Sequence, residues 1–536
     1  MSQTTSQILA RALAQAGVTH AFGMPGGEVL PLLDALAEEG VDFVLVRHEG
    51  SAGFMADAAW QLTGAPGVCV ATLGPGATNL ISGVAGALLD RAPVVAITGQ
   101  VSEGLKNVYT HQTLDQLALF RPVVRHQVTL TASEAWREIP LALRRLWEGR
   151  PAPVHLNLPA DVARAPARGA FADRFEPAPR SPDPAALDAA AATLARARRP
   201  VLLIGPADRS PAAADAARRL CRAMRGPALC TYRAKGLIDE QDPAFAGAFG
   251  LSPVVDAHQT ALLAGADALV LFGFDAAELR PHWLPGWPDG LPAIVLDAHP
   301  PTDLLHPAEH LLIGALPALA HALAARLEAQ PSAATWAQAE LDAHRAAIDA
   351  PFDDGPTGPA TAIRAVQRAL PADAIVALDV GAHRITASHV WRSAAPGLLL
   401  QSNGFASMGF GVPAAITAAL VRPRQTAVAL TGDMGLWMAL GELGLAAERG
   451  LNLIVVYLAD RSLSLIELKQ ARLGLAPVGV RFQNPEVGAL AQAFGGVGVA
   501  VSGPDEISAA VRAAVQRGGM SLIEATIDPA HYNQQM

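Results

Sequence analysis

Short β-rich apolar runs alternate with helical patterns along nearly the whole chain. In the first part, residues 18–22, 41–46, 67–72 and 93–97 read as strands, with helices over 6–16, from the Pro25-Gly26-Gly27 turn through 36, over 51–62 and over 77–89. Strand patterns resume at 201–204, 228–231, 268–272 and 293–296. A last series includes strands at 426–431 and 453–458, with a helix over 436–448 between them that Gly450 ends. Such alternation predicts α/β architecture: three doubly wound parallel-sheet domains.

Length supports that division, because 536 residues hold roughly three domains of about 100–200 residues. The boundaries are placed at 1–165, 188–330 and 355–536, with linkers around 163–184, rich in Pro, Ala and Arg, and around 352–359. An apolar fraction of 51% with 17% charged residues suits large buried sheets rather than disorder. The net charge of -9 and the lack of a Lys/Arg cluster argue against a nucleic-acid partner. Cys69, Cys221 and Cys230 match no zinc or redox spacing and read as small apolar residues of a reducing compartment. No apolar run reaches the roughly 20 residues of a membrane helix, and no signal peptide is seen, so the expected location is cytoplasmic.

Two places carry candidate chemistry. Asp433 and Asp460 lie 27 positions apart, each at the end of a predicted strand. Parallel strands end on the same side of a sheet, so the two carboxylates face one another across its carboxyl edge. There they can hold a divalent cation that in turn holds a phosphate, although Asp also serves commonly as a helix N-cap or turn residue. Glu49 stands between a strand and a helix, on the edge where such sheets bind ligands. Its ordinary role there is a favourable interaction with the helix dipole.

Longer segments carry a resemblance. PGGEVLPLLDAL, VRHEGSAGFMADAAWQLTG, ATLGPGATN and RAPVVAITGQV together resemble the pyrimidine-binding domain of acetolactate synthase-like thiamine diphosphate enzymes. The stretch after Thr431 resembles the thiamine diphosphate motif of that family, with Gly432, Asp433, Glu442, Leu451 and Asp460 in matching places. Met434 replaces the motif's third glycine, with Gly435 following at once, and Ala459-Asp460 replaces Asn-Asn. Asp is at least as good an oxygen ligand for a hard cation as Asn.

The resemblance implies thiamine diphosphate and Mg²⁺ as cofactors. It places Asp433, Asp460 and the main-chain oxygen of Ser462 on the metal, and Gly381, Ala382, His383, Gly432, Met434 and Gly435 around the diphosphate. Within SNGFASMGFG, Met408 takes the position of the wedge between the two cofactor rings, and the Ala406 carbonyl accepts from the cofactor's amino group. Glu49 corresponds to the glutamate that hydrogen-bonds a ring nitrogen of the aminopyrimidine. YTHQTLDQLALFRPVVRH resembles a synthase segment in which Gln112 matches and His111 replaces a phenylalanine, while Glu28 stands where synthases usually carry alanine. Glu28, His111 and Gln112 are therefore candidate catalytic residues. The middle domain resembles the place where acetolactate synthases often carry flavin, but residues 273–280 replace its arginine-containing segment, so FAD is not expected.

The implied reaction is decarboxylation of a 2-oxo acid, pyruvate first, with carboligation to a second carbonyl compound. A thiamine diphosphate-dependent lyase cleaving 2-hydroxy ketones or 2-hydroxyacyl thioesters is an alternative, and a catalytically silent cofactor-binding protein is another. The resemblance also implies a homodimer or homotetramer, in which Glu49 of one subunit and Asp433 of its neighbour address the same cofactor.

Overall fold

A computed structural model describes residues 3–106, 108–167, 183–283, 288, 290–301, 307–330 and 333–536. It contains three six-stranded sheets in which every paired strand is parallel. The first comprises β1 (His20–Met24), β2 (Asp42–Leu45), β3 (Gly67–Ala71), β4 (Val94–Gln100), β5 (His126–Thr129) and β6 (Val154–Pro159), in the order β2-β1-β3-β4-β6-β5. The second comprises β7 (Pro200–Ile204), β8 (Ala228–Thr231), β9 (Phe245–Phe249), β10 (Ala268–Phe272), β11 (Ala293–Asp297) and β12 (His310–Ile313), in the order β12-β11-β10-β7-β8-β9. The third comprises β13 (Ile375–Leu378), β14 (Leu399–Leu400), β15 (Ala427–Gly432), β16 (Leu453–Ala459), β17 (Val497–Ser502) and β18 (Met520–Thr526), in the order β14-β13-β15-β16-β18-β17.

The first and third sheets thus repeat one topology, whereas the second has the strand order of a dinucleotide-binding sheet. In the repeated topology the chain reverses direction of growth between its first and third strands. The crevice at that reversal is where ligands bind in open α/β sheets. It falls between β1 and β3 in the first sheet and between β13 and β15 in the third.

Several details differ from the sequence pattern. Strand β1 lies two residues later than expected, and the helix after Pro25-Gly26-Gly27 starts as a 3-10 turn, Gly27–Val29, before Leu30–Glu38. The single helix expected over 436–448 is two, Asp433–Met438 and Glu442–Glu448, because the chain departs from helical geometry at Ala439. Edge strands β5 and β17 were not anticipated: neither has a continuous buried run, and four of the six β17 residues are exposed. The proposed linker over 163–184 lies largely outside the described residues.

The first and third sheets share a core. The helix Glu49–Thr63 packs on Pro75–Leu89 closely enough that a Cβ at Gly53 would lie 2.6 Å from the Gly83 Cα, and Phe54 meets Phe410 edge-on at 6.0 Å. The second sheet joins the opposite face of the third through a cluster that includes Tyr232, Phe352 and Trp391. All three units meet at a buried polar junction. Asp90 accepts from Ser402 Oγ (2.5 Å) and from the N–H groups of Asn403 (3.0 Å) and Gly404 (2.8 Å), and it pairs with Arg233. Asn403 in turn donates to Glu278 (2.6 Å) and accepts from Arg384 (2.6 Å). Each carboxylate here offsets its desolvation with several donors, so removing one leaves a buried cation exposed to an uncompensated field. The three cysteines are buried and free, and burial pushes the Cys69 and Cys221 thiols up to about 12. Among the described residues, no helix is long and apolar enough to cross a membrane.

Asp90→Asn removes the charge opposite buried Arg233 while preserving shape. Thermal and denaturant unfolding of this variant is expected to show a loss of about 3 kcal/mol; an unchanged midpoint would mean that the junction contributes little.

Candidate active site

The first crevice is built from turns that only small residues can make. A Cβ at Gly26 would lie 2.1 Å from Thr72 Oγ1, so glycine lets the β1 turn close onto the β3 turn. Glu28 follows in the 3-10 turn, and Thr72 Oγ1 donates to its Oε2 at 2.9 Å. On the other side of Thr72 lies Glu49, the first residue of its helix and only 5% exposed. A Cβ at Gly76 would touch both, 2.8 Å from Thr72 Cγ2 and 3.2 Å from Glu49 Oε1. Asn79 Nδ2 donates to Glu49 Oε2 at 2.9 Å, which orients the carboxyl group. His48 caps this helix, its Nδ1 accepting from the Gly50 N–H.

Gln112 adopts a left-handed backbone (φ 56°), and its carbonyl sits against Gly74, where a Cβ would be 2.3 Å away. Gln116 ties the two loops together, accepting from the Gly74 N–H and donating to Gly99 O and Asn157 Oδ1. Glu28, Glu49 and Gln112 therefore gather at one crevice. His111 does not join them within the chain: its side chain is exposed, beside the ring of Tyr109.

The second crevice is organised by Asp379 at the end of β13. Its carboxylate accepts from the Gly411 N–H and from Thr431 Oγ1, both at 3.1 Å, and burial raises its pKa. A Cβ at Gly435 would fall 1.7 Å from Asp379 Oδ2, so position 435 has no room for any side chain. His383 is the second residue of the helix that follows β13, where burial pushes its pKa down to about 3 and leaves the imidazole neutral. A Cβ at Gly432 would be 3.2 Å from His383 Nδ1, and one at Gly381 would be 2.7 Å from the same ring. Glycines at these two positions leave a bare backbone cradle, with Ala382 opening the following helix. Ala406 has φ 55°, a left-handed conformation that costs a non-glycine residue about 1 kcal/mol or more. Met408 follows, partly exposed, and Gly409 lies against Met438.

Asp433 and Asp460 meet at the ends of β15 and β16. Asp433 Oδ2 accepts from the N–H groups of Asp460 (3.2 Å) and Arg461 (2.6 Å), while its Oδ1 is buried without a partner. Burial first, then the charge of Asp460, pushes the Asp433 pKa up to about 7. Asp460 accepts from Ser462 N–H (3.0 Å) and Ser464 Oγ (2.5 Å). An orphaned, buried carboxylate oxygen beside a second carboxylate fits a hard divalent cation.

Both crevices are joined through Glu442, which is 1% exposed and accepts from the N–H groups of Arg47 and His48 at 3.1 Å. This motif glutamate therefore braces the turn immediately before Glu49. No hydrogen bond or ion pair links Glu49 to Asp433 among the described residues. Thr72, Asn79, Asp379 and Asn484 were not singled out by sequence reasoning. Asn484 accepts from Trp437 Nε1 at 3.2 Å, and its amide nitrogen, which has no hydrogen-bond partner among the described residues, lies near enough to Asp433 to oppose slightly the rise in its pKa, a role that only long-range packing reveals.

Comparison with known proteins identifies the family of the three domains. Residues 3–119 match the family model for the N-terminal TPP binding domain of thiamine pyrophosphate enzymes, residues 187–305 the central domain and residues 379–525 the C-terminal TPP binding domain. The chain is 32% identical to acetolactate synthase isozyme 2 large subunit of Escherichia coli, over 98% of this chain and 95% of that one. It is 33% identical to a probable 2-ketoarginine decarboxylase of Pseudomonas aeruginosa, over 97% and 93%. Acetolactate synthase of Bacillus subtilis is 29% identical over 98% and 93%. With its three domains matched in order and its relatives aligned over nearly their whole length, the chain belongs to the thiamine pyrophosphate enzyme family, as a thiamine diphosphate-dependent enzyme of the acetolactate synthase-like kind.

Proposed function

We propose that the enzyme decarboxylates a 2-oxo acid, pyruvate first, and ligates the remaining acyl unit to a second carbonyl compound. The observation that carries this reading is Glu49, a buried carboxyl group oriented by Asn79 at the crevice of the first sheet. When bound, thiamine diphosphate supplies a nucleophilic ring carbon and a sink for the electron pair released with carbon dioxide. Glu49 would share a proton with a ring nitrogen of the bound pyrimidine, which a carboxyl group can do and an amide cannot. Met408 would wedge between the two rings of the bound cofactor, and the carbonyl of Ala406, whose backbone is left-handed, would accept from its amino group. Gly381, Ala382, His383, Gly432, Met434 and Gly435 surround the diphosphate, and Asp433, Asp460 and the Ser462 carbonyl hold Mg²⁺.

The working unit is a homodimer or a pair of dimers in the cytoplasm, with each site completed across the interface: Glu49 comes from one subunit and Asp433 from its neighbour. Gln112, whose carbonyl sits against Gly74, and His111, exposed within the single chain, would face the acceptor in the assembled dimer. The domains run over 1–165, 188–330 and 355–536.

One feature favours a second donor class. The only side-chain partner of Glu28 among its described hydrogen bonds is the Thr72 hydroxyl, so its charge enters the crevice without a cation. A 2-oxo acid with a positively charged side chain would neutralise it, in keeping with the probable 2-ketoarginine decarboxylase among the relatives.

Two experiments separate these readings. With pyruvate, the wild-type enzyme is expected to release carbon dioxide and form acetolactate, and Glu49→Gln to lose about 100-fold or more in kcat while still binding thiamine diphosphate by calorimetry. An unaffected rate would remove the proposed proton role. Across a panel of 2-oxo acids, Glu28→Ala is expected to raise KM for guanidino- and amino-substituted donors by about tenfold and to leave pyruvate within about twofold if the second reading holds. Equal effects on both classes would refute a charge-based choice of donor.

A further inference from the structure

The carboxylates of the β15 and β16 edge are held by the chain's own groups. Asp433 is 2% exposed, and two backbone N–H groups fix its Oδ2 while Oδ1 stays unpartnered. Asp460 is fixed by Ser462 and Ser464. The loop that carries them is clamped by a short antiparallel pairing, with Leu463 N–H donating to Val480 O (2.8 Å) and Phe482 N–H to Arg461 O (3.1 Å). The chain's own hydrogen bonds thus hold both the rotamers and the backbone of this edge.

Nor does the protein supply the counter-charge. Arg461 turns its guanidinium to Glu524 at 3.7 Å, and Arg481 is paired with Glu467 at 2.5 Å. Both arginines of the loop pair are committed elsewhere, so among the described ion pairs no protein cation stands opposite the two carboxylates. An asparagine at 460 would halve that charge; aspartate does not.

We propose that Asp460 makes this a cation site that fills first: a divalent cation binds between Asp433 and Asp460 in the cofactor-free chain, and thiamine diphosphate docks only onto the loaded site. This rests on the assignment of Asp433, Asp460 and Ser462 to the metal. Affinity for a hard cation rises with the number of carboxylate ligands and with the rigidity of the site, and both are high here. An arriving diphosphate is repelled by two bare carboxylates and meets no such repulsion once a 2+ ion has cancelled them. The extra charge therefore strengthens the first step and makes the second conditional on it. Asparagine at 460 would weaken cation binding and relieve the repulsion, so cation and cofactor would enter together.

The test uses Mn²⁺ alone as probe, titrated by electron paramagnetic resonance into the full-length enzyme freed of cofactor and metal. The wild type is expected to take up one Mn²⁺ per chain without thiamine diphosphate. Asp460→Asn is expected to weaken this uptake by about tenfold or more, yet at saturating Mn²⁺ to bind thiamine diphosphate as tightly as the wild type or more so. Wild-type enzyme that takes up Mn²⁺ only after thiamine diphosphate is added would overturn the inference, and that result needs no variant. So would an Asp460→Asn enzyme with unchanged uptake. Asp433→Asn separates the levels: if it too leaves uptake unchanged, the metal assignment itself falls, whereas loss of uptake in Asp433→Asn alone removes only the order of binding.

Discussion

Desolvation of Asp433 is the constraint on which the phosphate edge depends. Burial alone would neutralise such a carboxylate, and Asp460 adds to the cost. The N–H groups of Asp460 and Arg461 return part of it, and they are available only because β16 ends where it does and the chain then turns through a left-handed residue, Arg461 (φ 56°). The remaining cost is stored as an unpartnered oxygen at the crevice of the third sheet. Strain and unsatisfied groups of this sort persist only where the surroundings over-determine them, and here the surroundings are the buried central strands β15 and β16.

The same topology, used twice, explains why the chemistry divides as it does. Each copy opens a crevice between its first and third strands, one offering Glu28, Thr72 and Glu49, the other Asp379, His383 and Asp433. Glu442 connects them through the backbone before Glu49, tying the third sheet's helix to the helix start that carries the first carboxylate. The second sheet meets both others at the Asp90 junction, where polar groups are satisfied across all three units.

What was legible in the sequence is what local pattern controls. The alternation of apolar runs and helices indicated parallel sheets, and the 27-residue spacing placed Asp433 and Asp460 on neighbouring strand ends. Illegible features depend on distant partners. Nothing near Thr72 in the chain points to Glu28, 44 positions away, and nothing near Glu442 points to Arg47. The helix expected over 436–448 failed for the related reason that Ala439 to Gly441 bend so that Glu442 can reach the first sheet. The motif's departure at Met434 also acquires a physical account: the adjacent Gly435 is the position pressed against Asp379, and it is glycine.

The proposed interfacial site draws Glu49 from one subunit and Asp433 from its neighbour. Mixing two inactive variants tests it directly. Glu49→Gln and Asp433→Asn chains, unfolded or dissociated together and reassembled, form mixed dimers in which one site carries both changes and the other carries neither. If the site spans the interface, a 1:1 mixture recovers about a quarter of the wild-type rate under random pairing. A mixture as inactive as either parent would contradict the claim and place both residues on the same side of the interface.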